Sequence, residues 1–158
     1  MDATFLNFTD FLVICHESHL NFDHEPIYHL KRQFQVNKGL ASARNSIIMV
    51  MTGDFFLPLD SDDILLPNAV EKIQQAIKEN PNVDVIAPSF KCFGLSNQEV
   101  ILMPNPKLED FRTGNRIGYC CAIRKNALLE VGGYDPTMVW GYEDLSLTCQ
   151  LLARGKKI

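Results

Sequence analysis

Apolar runs and apolar stripes alternate through the first half of the chain, and that alternation predicts its elements. Phe11 to Cys15 is apolar without polar interruption, as in a strand covered on both faces. His16 to Glu25 is polar and predicts a loop. Tyr28 to Val36 is mixed, with a short strand expected at Phe34-Gln35-Val36. From Gly39 to Met51 the spacing of Leu40, Ala43, Ile47, Val50 and Met51 predicts a helix, which Gly53 ends. Phe55 to Leu59 reads as a second buried strand. Pro67 to Asn80 reads as a helix with Val70, Ile73 and Ile77 on one face. Asn80-Pro81-Asn82 stops it, and Val83 to Ala87 is the next strand.

The second half is less regular. Pro88, Gly94, Pro104, Pro106 and Gly114 interrupt the stretch from 88 to 116. Strand-like pieces at Ser89–Phe93 and Glu99–Leu102 predict a hairpin and a long loop. Tyr119 to Ile123 is a further expected strand. Lys125 to Val131 is a short helix stopped by Gly132-Gly133, and a last helix runs from about Glu143 to Arg154. Alternating strands and helices predict βαβ units, a mostly parallel sheet flanked by helices, and a small antiparallel element.

Composition narrows the function classes. The chain has 158 residues, 46% hydrophobic and 22% charged, with net charge −4, an ordinary globular balance for one domain. Lys and Arg form no long basic run, so a nucleic-acid partner is not expected. No secretory signal is read after Met1-Asp2, and no apolar run is long enough to span a bilayer. The expected location is cytoplasmic, with peripheral membrane association left open. Cys15, Cys92, Cys120, Cys121 and Cys149 form an odd set without a C-x-x-C pair, which suits reduced thiols. His16, His19, His24 and His29 crowd near Cys15, but their spacing matches no standard zinc signature.

The chemistry concentrates in three places. Asp60-Ser61-Asp62-Asp63 directly follows the apolar run 55–59. Carboxylates at the carboxyl end of a strand lie where open α/β sheets bind ligands, and so many like charges favour a hard cation, Mg²⁺ or Mn²⁺. The spacing suggests a metal–diphosphate site. Asn37-Lys38-Gly39 to Arg44-Asn45 opens a helix whose first N–H groups could hold an anion; an ordinary solvated helix start is the alternative. Gly132-Gly133-Tyr134-Asp135 precedes Trp140-Gly141-Tyr142-Glu143-Asp144. Trp140 with Tyr134 or Tyr142 could stack on a sugar ring. Glu143 and Asp144 could present a general base or simply favour a helix N-terminus.

The ordered set of these motifs, from Asn37 to Ile158, resembles the family 2 glycosyltransferases, whose GT-A fold binds nucleotide sugars. The resemblance implies transfer of a sugar from a nucleotide-diphosphate donor, a UDP-sugar above others, to a glycan or polysaccharide hydroxyl, inverting and dependent on Mn²⁺ or Mg²⁺. It makes Asp60 and Asp62 the D-x-D pair that holds ribose and metal-bound diphosphate, with Ser61 between them. It makes Asp144 the catalytic base and Glu143 an acceptor contact. Lys38, Gly39 and Arg44 fall near the nucleotide, and Trp140, Gly141 and Tyr142 near the acceptor.

The chain departs from the family's pattern at both ends. Met1 precedes only one obvious strand, and if 11–15 is the family's second strand, Cys15-His16-Glu17 replaces its nucleobase-binding aspartates. Ile158 falls where the family continues. The expectation is a partial catalytic domain without its first β-α unit and C-terminal segment, prone to self-association. A non-catalytic binding module on the same ancestry is the alternative reading. A sugar-nucleotide nucleotidyltransferase, which would show a Gly-rich basic loop after its first strand, is a further one.

Overall fold

In the computed structural model the described residues are 12–16 and 28–31, as backbone strands, together with 38–60 and 62–158. Strands β1 (Leu12–His16) and β2 (Tyr28–Lys31) form an antiparallel pair. Helix α1 (Leu40–Val50) leads to strand β3 (Phe55–Leu59), helix α2 (Ala69–Glu79) and strand β4 (Val85–Ile86). A hairpin of β5 (Phe90–Lys91) and β6 (Glu99–Val100) follows, then a 3-10 turn at Leu108–Thr113. Strand β7 (Ala122–Arg124), helix α3 (Lys125–Val131) and helix α4 (Glu143–Ala153) complete the order. The expected strand at 34–36 lies outside the described residues, as do the side chains of the histidine-rich stretch.

The main sheet runs β2-β1-β3-β7-β4. Its ladders are antiparallel, where a mostly parallel sheet was expected. β7, distant from both in sequence, inserts between β3 and β4 and opposes each, with Phe56 opposite Ile123 and Val85 opposite Ile123 on the other side. The other flank of β3 is taken by β1, Ile14 opposite Leu57.

The uninterrupted apolar run of β3 has the expected cause. Phe55, Phe56 and Leu57 are all buried although they alternate between faces. Phe56 points into a core with Ile47, Leu128, Tyr134 and Leu147, so α1, α3 and α4 share one layer. Phe55 and Leu57 pack with Ala122 and Ile73, which puts α2 on the opposite face. Burying each such side chain contributes about 1.5–3 kcal/mol, so both layers are fixed by this one strand. Among the described residues no helix is long and apolar enough to cross a membrane.

Two boundaries differ informatively from the sequence reading. The strand expected from Tyr119 begins only at Ala122, because Cys121 turns back, its N–H donating to the Tyr119 carbonyl at 2.9 Å and its thiol to the Gly118 carbonyl. That turn releases Tyr119 from the ladder. The stretch read as loop contains the 3-10 turn, which buries Phe111 beneath α4 and is too short to show a periodicity.

Candidate functional site

Arg44 organises the site. It falls on the buried stripe of α1, one turn from Ala41 and one from Ile47 and Ile48, and only 1% of it is exposed. Its Nη1 donates to Glu143 Oε1 at 2.9 Å, and its Nη2 donates to Asp60 Oδ1 at 3.0 Å. Its guanidinium carbon lies 5.5 Å from the Tyr119 ring centre and 5.2 Å from that of Tyr134. Burial opposes the charge, but Tyr134, Asp60 and Glu143 outweigh it and hold the guanidinium's pKa above its ordinary value. Nε is buried without a partner among the described residues. A fixed cation thus joins the end of β3 to the start of α4. Arg44 was expected beside the nucleotide; it is enclosed, and both its terminal nitrogens are engaged by protein carboxylates.

The Gly132-Gly133-Tyr134 turn is the second support. Gly132 ends α3 in the left-handed conformation at φ 84°. Gly133 follows at φ 77°, and a Cβ there would lie 2.5 Å from Asn45 Oδ1. That close approach lets Asn45 Nδ2 donate to the Tyr134 carbonyl at 2.7 Å while Asn45 Oδ1 accepts from the Tyr134 N–H at 2.8 Å. The side-chain amide therefore pairs with the turn as a neighbouring strand would. Tyr134 is driven into the core, edge-on to Phe56 with ring centres 6.4 Å apart, and burial raises its phenol's pKa. Tyr134 therefore cannot be the exposed sugar platform considered for it.

Asp60 closes β3, and Asp60 to Asp63 form a turn in which the Asp63 N–H donates to the Asp60 carbonyl at 3.1 Å. The Tyr119 hydroxyl accepts from the Asp60 N–H at 3.2 Å and donates to the Asp63 carboxylate. Burial, then the bond to Asp63, raises the Tyr119 pKa. Ser61 is outside the described residues. Asp62 is exposed. Among the described residues no three His, Cys, Asp or Glu side chains gather as a cation cage. Mn²⁺ or Mg²⁺ bound to a nucleotide needs less, since such ions use one or two carboxylates, waters and the ligand's phosphates. With Asp60 Oδ1 held by Arg44 and Asp63 by Tyr119, exposed Asp62 and the remaining Asp60 oxygen fit that role.

Asp144 lies half-buried in the first turn of α4, where Asn115 Nδ2 donates to its Oδ2 at 3.0 Å. It lines a cleft of about 620 Å³, together with Asn115, Tyr119 and the segment 100–104. Asp60 and Asp62 do not line this cleft; Tyr119, on its wall, connects it to their turn. Glu143, expected at the acceptor, is buried against Arg44. Trp140 is almost fully exposed, and Tyr142, also exposed, caps α4 at φ 67° after Gly141 at φ 102°. Lys38 is exposed before α1, and Gly39 forms the helix N-cap at φ 87°. Tyr119, Asn115 and Asn45 were not singled out in the sequence. Only Asn45 carried a signal, its place beside Arg44 in the helix-start motif.

The comparisons with known proteins bear on the family. A model described as Glycosyl transferase family 2 matches residues 28–132, taking in Arg44, Asp60 and Tyr119. One similar protein, from Haemophilus influenzae and named an uncharacterized glycosyltransferase, is 32% identical over 126 residues, 75% of this chain and 42% of that protein. A second of the same name and organism is 26% identical over 126 residues, 75% of this chain and 46% of its own length. The chain thus spans less than half the length of either curated relative. With the matched segment covering most of the chain, the chain belongs to glycosyl transferase family 2.

Proposed function

We propose that this chain forms part of the catalytic core of an inverting glycosyltransferase that moves a sugar from a nucleotide-diphosphate donor, a UDP-sugar, to a glycan or polysaccharide hydroxyl. One observation carries the reading: Asp144, on the wall of a cleft, follows a residue that Arg44 binds to Asp60. Two carboxylates far apart in sequence are thereby held in one frame, as a base and a donor contact must be. The helices on both faces of the sheet suit the GT-A relation.

In this mechanism Asp60 and Asp62 hold the donor's ribose and diphosphate. Neutralisation of the departing diphosphate is what Mn²⁺ or Mg²⁺ supplies when bound there. Asn115 orients Asp144 through Oδ2, so its other oxygen takes the proton from the acceptor hydroxyl. The acceptor oxygen bonds to the anomeric carbon as the bond from that carbon to the diphosphate breaks. The nucleoside diphosphate leaves from the opposite face, and configuration inverts. Trp140 and Tyr142, exposed before α4, suit contact with an acceptor ring.

The test is transfer with the purified chain, Mn²⁺ and a panel of UDP-sugars. Asp144→Asn should lower the rate by about 10²–10⁴-fold while UDP–Mn²⁺ binding is kept. Asp62→Ala should weaken that binding. Full transfer by Asp144→Asn would sink the assignment of the base.

A further inference from the structure

The lining of the cleft at Asp144 mixes polar and apolar side chains, the apolar ones in the majority. Asn115, Arg116 and Asp144 are its polar part, with Tyr119, whose hydroxyl is engaged by Asp60 and Asp63. Phe90, Ile101, Leu102, Met103 and Ile117 form the walls. Phe90 comes from β5 and packs its ring on Gly118, where an added Cβ would lie 3.4 Å away. Leu102 is tied down by its N–H, which donates to Ser89 Oγ at 3.2 Å, and it packs against the main core. Ile101 and Met103, on either side of it, face solvent, 84% and 43% exposed. Phe93 and Leu95, on the loop of the same hairpin, are exposed too. Exposed apolar side chains gathered around a cleft mark a binding surface rather than a solvated one.

A pure saccharide offers hydroxyls to its site and is held by hydrogen bonds and flat aromatic rings. The aliphatic side chains Ile101, Leu102, Met103 and Ile117 outnumber the rings of Phe90 and Tyr119 in this lining and leave such hydroxyls unsatisfied. They suit a hydrocarbon. Because these apolar side chains line the same cleft as Asp144, the hydrocarbon and the reacting hydroxyl belong to one molecule. We infer that the acceptor is a glycoside with a hydrocarbon aglycone, its sugar at Asn115 and Asp144 and its chain along Ile101 and Met103. This rests on the transferase reading for the role of Asp144, while the binding preference does not require catalysis.

The experiment compares octyl and methyl glycosides of the same sugars, glucose, galactose and mannose, below micellar concentration, by saturation-transfer NMR titration of the purified chain. At least one octyl glycoside should bind about tenfold or more tightly than its methyl counterpart, since each buried methylene favours association. In Ile101→Asn/Met103→Asn that preference should fall to within about twofold. Both side chains are exposed, so the fold should survive, which a circular dichroism melt checks. Equal binding of octyl and methyl glycosides overturns the inference, as does an unchanged preference in the folded double variant. A chain that shows the preference but transfers no sugar to any of these acceptors retains the cleft assignment and overturns the transferase reading.

Discussion

Arg44 Nη1 and Glu143 Oε1 are 2.9 Å apart across 99 positions of sequence, and the pair is buried. Asp60 completes a triad around the one guanidinium. In a low-dielectric setting such an arrangement contributes little net stability, because desolvation of the charges offsets their attraction. What it contributes is geometry. Asp60, at the end of β3, and Asp144, next to Glu143, cannot move independently while Arg44 is in place.

Removal of Arg44 should therefore be severe. Arg44→Ala leaves Glu143 buried without its cation, a loss on the order of 3–5 kcal/mol. At roughly 2–4 °C per kcal/mol for a chain of this size, the melting temperature should drop by about 6–20 °C. Arg44→Lys offers one compact ammonium for two carboxylates and should recover only part of that. Thermal melts of the three proteins check the order, and an Arg44→Ala chain as stable as the parent would refute it.

Gly133 should be costlier to replace while Asn45 is present. Gly133→Ala meets Asn45 Oδ1 at 2.5 Å and puts a side chain at φ 77°. The strain of such a conformation is about 1–3 kcal/mol before the clash is added. Asn45→Ala removes the clash and also both hydrogen bonds to Tyr134. A double-mutant cycle by urea denaturation should then show coupling: Gly133→Ala costs less in the Asn45→Ala background than alone. Additive losses would mean that backbone strain, not the close approach, explains the glycine.

Alkaline pH should weaken the fold through Cys120. Burial, with Asp63 and Asp60 nearby, pushes its thiol from an ordinary 9.0 up to about 11. Between those values the unfolded chain releases a proton that the folded chain keeps, so the unfolded state binds fewer protons and stability falls as pH rises. Below pH 9 both states are protonated and the contribution is constant. Urea melts from pH 8 to 11 should show this decline, made shallower by Cys120→Ala. An identical slope in the variant would assign the decline to other groups, such as the buried Tyr134.

The alternation of apolar runs made β3, α1, α2, α3 and α4 legible in the sequence, because each buries a continuous stripe or face. Strand direction was not legible. An apolar run such as Phe55–Leu57 is the same whether its neighbours run with it or against it, and the antiparallel insertion of β7 depends on contacts distant in sequence. The motif residues were chosen by type and order, and their connections were not legible. Nothing local says that Arg44 is buried beyond its place between Ala41 and Ile47 on an apolar stripe. Tyr119 was hidden because its role follows from the turn at Gly118–Cys121 that withdraws it from a strand.

Tyr119 gives the sharpest test of how the two halves of the site communicate. Its hydroxyl holds the Asp60–Asp63 turn through the Asp60 N–H and the Asp63 carboxylate, while its ring lies against Arg44 and lines the Asp144 cleft. Tyr119→Phe keeps the ring and removes only the hydroxyl. The turn that presents Asp62 should loosen, and the cleft wall should stay. UDP–Mn²⁺ affinity should therefore weaken by about 3–10-fold, the worth of one or two hydrogen bonds. Octyl glycoside binding should change less than about twofold. Calorimetric titration of both ligands into parent and variant measures the two effects side by side. Weakened glycoside binding with intact UDP–Mn²⁺ binding would place the hydroxyl's work in the cleft and not in the turn.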